Sequence, residues 1–124
     1  MKILLRIAAV YSLAWAVVLA FPAWVPLTGE LPSPEMRAMA NGLAIANLTF
    51  AYLFNRAAGD PTAQRGILYG ALLLFGLRGL AGTYEVLYVL DGPAAMPTLV
   101  DMVLSLALFV GMLNSLPGTV QGPP

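Results

Sequence analysis

Charged side chains are scarce in this chain, and three of them interrupt stretches that are otherwise apolar. Arg78 and Glu85 lie within the run at 66–90, and Asp101 lies near the start of the run at 97–116. A lone charge in hydrocarbon costs roughly 2.5–3.5 kcal/mol on insertion scales, so such groups pair or face a protein or water interior. Arg78 and Glu85 are spaced i, i+7. On a helix that places them within about 20° of each other and about 10 Å apart in height. Asp101 is expected at a similar depth, because Asp91-Gly92-Pro93 is a turn signal that makes the two runs antiparallel neighbours. Asn41 enters from the same side, and Tyr84 and Tyr88 flank Glu85. One cation facing two acids leaves a deficit of positive charge. A protonated carboxyl, a bound cation or water would make it good. The expected ligand- or proton-binding set is therefore Arg78, Glu85, Asp101, Asn41, Tyr84 and Tyr88. The same residues also fit a structural Arg78 ion pair, with Asp101 hydrated and favoured by its place near a helix N-terminus.

Other chemistry is narrowed by what the chain lacks. It has no Cys and no His, which removes disulfides, thiolate chemistry, the usual haem and copper ligands, most zinc sites and the commonest general base. No catalytic residue, cofactor or metal is expected. Net charge is zero, so nothing argues for nucleic acid. Met36, Met39, Met96, Met102 and Met112 read as packing.

The elements that must carry these groups follow from composition and punctuation. Of 124 residues, 60% are hydrophobic and 10% charged, where a soluble domain is about a quarter charged. Such a chain cannot cover itself with a polar surface and belongs in the membrane class. Apolar runs predict spans at about 3–21, 34–55, 66–90 and 97–116, with a disordered cytoplasmic tail at 117–124. Lys2 and Arg6 ahead of the first run also give it the outline of a cleavable signal. Ala8, Ser12, Ala16 and Ala20 recur every four residues, however, and make a helix-packing face that favours a retained span. Pro22, Trp24, Pro26, Gly29, Pro32 and Pro34 predict an irregular loop, with Trp24 at headgroup level. Ser33-Pro34-Glu35 reads as a helix start: a cap, a first-turn proline and an acid at the positive end of the dipole.

In the second span Arg37, Asn41, Leu48, Tyr52 and Asn55 share a side, while Asn47 and Thr49 point elsewhere and read as interhelical hydrogen-bonding groups. The glycines of the third span are spaced for close helix packing. They are not a phosphate loop, having no preceding strand. In the fourth, Asp101, Ser105, Leu108, Met112 and Ser115 form the expected inward side. Lys2, Arg6, Arg56 and Arg65 flank one side of the spans and Arg37 alone the other. Both termini are therefore expected in the cytoplasm.

This layout resembles the small four-helix bacterial inner-membrane proteins called DoxX-like: Phe21-Pro22 closing the first span, Gly42 and Asn47 in the second, and Val100-Asp101-Met102 opening the fourth. The resemblance implies a four-helix bundle in the bacterial inner membrane and carries no catalytic residues. The expected fold is all-α, an integral membrane up-down bundle of four transmembrane helices. Three functions remain open. The first is a non-enzymatic accessory or small-ligand-binding bundle, meeting itself or a partner membrane subunit through small-residue helix faces. The second is a small proton-coupled transporter using Glu85 and Asp101. The third is a membrane enzyme acting on a lipid or isoprenoid, with Tyr84 or Tyr88 assisting a carboxyl.

Overall fold

The computed structural model describes residues 1–21 and 33–116. The loop around Pro22 and Trp24 and the tail at 117–124 lie outside them. The described residues form four helices and no strand. They are α1 (Lys2–Ala20), α2 (Pro34–Gly59), α3 (Arg65–Tyr88) and α4 (Ala95–Asn114), with a short 3-10 turn at Gly92–Ala94 before α4. Three of them, α1, α3 and α4, are long and apolar enough to cross a membrane. α2 is the longest helix, but it carries Arg37 and the amides of Asn41, Asn47 and Asn55, and it falls short of the other three in apolar character.

Local chemistry sets the ends. Ser33 caps α2, its Oγ accepting from the Met36 amide at 3.2 Å, and Pro34 takes the first turn, where its missing N–H costs nothing. α2 continues past Asn55 to Gly59, and Asp60 Oδ1 then accepts from the Ala63 amide at 3.1 Å to turn the chain into α3. Gly92 has φ +61°, a left-handed conformation open to glycine, and this is what lets Asp91-Gly92-Pro93 reverse direction. Pro97 falls in the first turn of α4, where it displaces no intrahelical hydrogen bond.

The helices pack as two hairpins. α1 lies most extensively against α2, and α3 against α4. The α1 face of Leu5, Ala8, Ser12 and Ala16 is buried, as is the α2 face of Ala40, Ala44, Asn47, Ala51, Phe54 and Ala58. Alanines on both sides let the backbones approach closely, which is how helices associate when lipid supplies no hydrophobic drive. In the second hairpin the glycines do this work. Gly76 faces the Phe109 ring, Gly79 faces Leu106 and Gly82 faces Met102. Those pairings descend along α4 as they ascend α3, so the two helices are antiparallel. Phe54 of α2 and Phe75 of α3, 5.7 Å apart between ring centroids, join the hairpins towards the end of the bundle where α1 and α3 begin. There Leu5, Leu68, Leu108 and Met112 complete the core.

Candidate functional site

The polar cluster forms where the two hairpins meet. Arg78 stands on α3 at the edge of its buried face and donates from Nε to Asp101 Oδ2 on α4 at 3.0 Å. The two side chains are 21% and 17% exposed, so the pair is largely withdrawn from its surroundings. The phenol of Tyr11, in the middle of α1, donates to the other carboxylate oxygen of Asp101. From α2, Asn47 Oδ1 accepts from Arg78 Nη1 at 3.5 Å, a long bond. The Asn47 amide is held in that orientation because its Nδ2 donates to the Leu43 carbonyl one turn back, at 2.8 Å. Every helix thus contributes one side chain to a single network.

Two aromatic rings complete it. The guanidinium carbon of Arg78 lies 5.7 Å from the Tyr11 ring centroid and 5.5 Å from that of Trp15. Tyr11 and Trp15 meet edge to face, and Tyr11 also leans on Phe75. The π faces offset part of what the guanidinium loses on leaving water. Two fully buried hydroxyls, Ser12 and Ser105, have no hydrogen-bond partner among the described residues. Ser12 is the residue after Tyr11, and Ser105 lies one turn beyond Asp101.

Behind the cluster, between α1 and α4, runs a groove of about 430 Å³ lined by Tyr11, Ala14, Trp15 and Val18 on one side and Pro93, Met96, Pro97 and Val100 on the other. Its walls are apolar, and Tyr11 and Trp15 face both the groove and Arg78. The volume is within the range of small-molecule sites. A smaller groove of about 290 Å³ lies between α2 and α3, lined by residues that include Phe50, Leu53, Gly66 and Gly70.

Of the expected set, Arg78 and Asp101 come together. The other four lie on the outer surface. Glu85 is exposed, one turn from the end of α3, and no hydrogen bond or ion pair of its carboxylate occurs among the described residues. Tyr84 and Tyr88, 60% and 75% exposed, pack on each other with ring centroids 5.5 Å apart. Asn41 is exposed on α2. The i, i+7 spacing does put Arg78 and Glu85 on one side of α3, but the rise between them carries Glu85 beyond the interface of the hairpins. Tyr11 and Trp15 are the additions; Asn47, expected as an interhelical hydrogen-bonding group, is one, whereas Thr49 is exposed and donates to the Ile45 carbonyl of its own helix at 3.0 Å. The usable signal for Asn47 was its place on the same α2 face as Ala40, Ala44 and Ala51. For Tyr11 it was adjacency to the recurring Ala8-Ser12-Ala16 face.

No protein-family model matches the chain, and no curated protein or solved structure matches it.

Proposed function

We propose that this protein is a non-enzymatic membrane helix bundle that binds a small, mainly apolar molecule in the groove between α1 and α4. The observation that carries the reading is the groove itself, about 430 Å³ and walled by Tyr11 and Trp15, whose rings are braced from behind by Arg78. A lone pair of charges needs no cavity beside it. An apolar slot opening sideways between helices, with a fixed polar network at one wall, suits a ligand that arrives through the lipid. The ligand's body fills the slot, and the braced rings supply a rigid surface with little entropy to lose on binding. The Lys/Arg distribution and the DoxX-like layout place both termini in the cytoplasm of a bacterial inner membrane in this reading.

Trp15 is a built-in reporter. The chain has two tryptophans, so Trp24→Phe leaves Trp15 as the single emitter. Brominated hexadecanoic acid added to this variant in lipid nanodiscs is expected to quench Trp15 saturably, and Ala14→Phe, which fills the groove, is expected to abolish the saturable part. Quenching that rises linearly and equally in both proteins would sink the proposal.

A second reading rests on Asp101. It is an intramembrane carboxylate held jointly by Arg78 and Tyr11, the kind of group that proton-coupled carriers use. Glu85 is exposed, so in this version the exchangeable carboxylate is Asp101 alone. Asp101→Asn should then abolish a pH-driven flux in proteoliposomes while Glu85→Gln leaves it intact.

A further inference from the structure

α2 is the least apolar of the four helices, and the cause can be traced residue by residue. Asn47 is used inside the chain, with Arg78. Asn41 and Asn55 are exposed, and their side-chain amides take part in no hydrogen bond among the described residues. At about 1.5 Å per residue the 26 residues of α2 measure about 39 Å, longer than the roughly 30 Å hydrocarbon core. Centred in that core, Asn41 lies well inside it and Asn55 near its edge. Uncapped primary amides facing lipid are costly, and in membranes they are satisfied by a neighbouring helix.

These amides are not scattered. Ala38, Asn41, Ile45, Leu48, Tyr52, Asn55 and Gly59 follow one another at spacings of 3, 4, 3, 4, 3 and 4, and all are exposed. That is a heptad seam, the pattern that seats knobs of one helix in holes of another. Asn41, Leu48 and Asn55 occupy the same heptad position. The seam lies about a third of a turn around α2 from the buried face, so both can be occupied together. The large members are well out in the open: Ile45 is 68%, Leu48 55% and Tyr52 63% exposed.

We infer that this seam is the interface of a homodimer, with α2 of one protomer lying parallel to α2 of its partner. The occupant follows from the chemistry of the polar positions. A primary amide carries a donor and an acceptor, so its partial charges are complementary to those of another amide. Two copies inserted in the same orientation are related by a two-fold axis along the membrane normal, which brings each seam residue opposite itself at the same depth. Asn41 then bonds Asn41 of the partner subunit, Asn55 does the same near the membrane edge, and Leu48 packs at the axis between them. Gly76, Gly79 and Gly82 are already filled by α4, and Ala40, Ala44, Ala51, Ala57 and Ala58 of α2 are buried within the chain, while Gly66 and Gly70 line the groove between α2 and α3.

The chain has no native cysteine, which makes disulfide mapping clean. Purified Leu48→Cys protein in liposomes is expected to oxidise to a covalent dimer. Leu43→Cys, which is exposed on another face of α2, is expected to stay monomeric. Adding Asn41→Ala to Leu48→Cys should weaken dimerisation by about threefold to thirtyfold, the range for one hydrogen-bonded polar contact between membrane helices, and Asn41→Gln should restore most of it. Trp15 emission reports that each variant is folded. Equal cross-linking at 48 and 43, or none at 48 in folded protein, overturns the inference. So does a Leu48→Cys product in native membranes that joins a different polypeptide instead of a second copy.

Discussion

Removing one member of the Arg78–Asp101 pair and removing both should have opposite consequences. In Asp101→Leu the guanidinium keeps the rings of Tyr11 and Trp15 and the long contact to Asn47, but it loses its carboxylate at 3.0 Å. The phenol of Tyr11 loses its acceptor at the same time. An uncompensated charge at this degree of burial costs about 3–5 kcal/mol. Arg78→Leu strands the carboxylate instead, and a comparable loss is expected. In the double variant no charge remains, Leu fills much of both volumes, and stability is expected within about 1 kcal/mol of the parent or above it. The coupling energy from the four proteins is then at least about 5 kcal/mol. The measurement is reversible unfolding in mixed micelles with increasing SDS, followed by Trp15 emission in the Trp24→Phe background. A hydrated, exposed pair would give a coupling of about 1 kcal/mol or less, with additive single losses. That result would refute the reading of Arg78 and Asp101 as a buried, strongly coupled pair.

Further outcomes follow from the same geometry. A Cβ on Gly82 would stand 2.9 Å from Met102 Cβ and 3.4 Å from its backbone Cα, so Gly82→Ala should destabilise by about 1–3 kcal/mol. Gly70→Ala, with nothing within 4 Å, should be neutral in the same SDS titration. Tyr11→Phe keeps the ring over Arg78 and removes only the hydroxyl on Asp101; a loss of about 1.5–3 kcal/mol is expected, as for hydrogen bonds to charged groups. Ser12→Ala and Ser105→Ala delete buried hydroxyls without partners and should leave stability unchanged or raise it. A drop of more than about 1 kcal/mol in either would show that the hydroxyl is satisfied in the membrane.

The sequence makes the charges of the site conspicuous and hides its neutral members. Arg78 and Asp101 stand out because a charge in an apolar run demands a partner. Glu85 makes the same demand by the same rule. But it sits one turn from the end of α3, close enough to the helix terminus for its carboxylate to lie outside the packed core. Periodicity gives the angle around a helix and says nothing of where the bundle stops. Tyr11, Trp15 and Asn47 are of types that occur in spans for many reasons, and only the docking of α1 and α2 onto the other pair selects them. The turns were easier to read, because Ser33-Pro34 and Asp91-Gly92-Pro93 act through local backbone chemistry alone. The packing faces of α1 and α4 were likewise readable: Ala8, Ser12 and Ala16, and Ser105, Leu108 and Met112, are all buried. Ala20 and Ser115, at the helix ends, are exposed. Spacing set Asn41 and Asn55 apart from Asn47 on α2, but only the docking of the helices shows that Asn47 is the buried one and the other two are exposed.

The ion pair belongs to one hairpin, and this bears on how the chain reaches its fold. Arg78 and Asp101 are 23 residues apart, on helices joined by a tight turn, so in the proposed membrane setting the hairpin would enter the bilayer with its charges already paired. The charged part of the network is thus complete within the second half of the molecule. Docking of the first half adds only neutral groups to it, Tyr11 and Trp15 from α1 and Asn47 from α2.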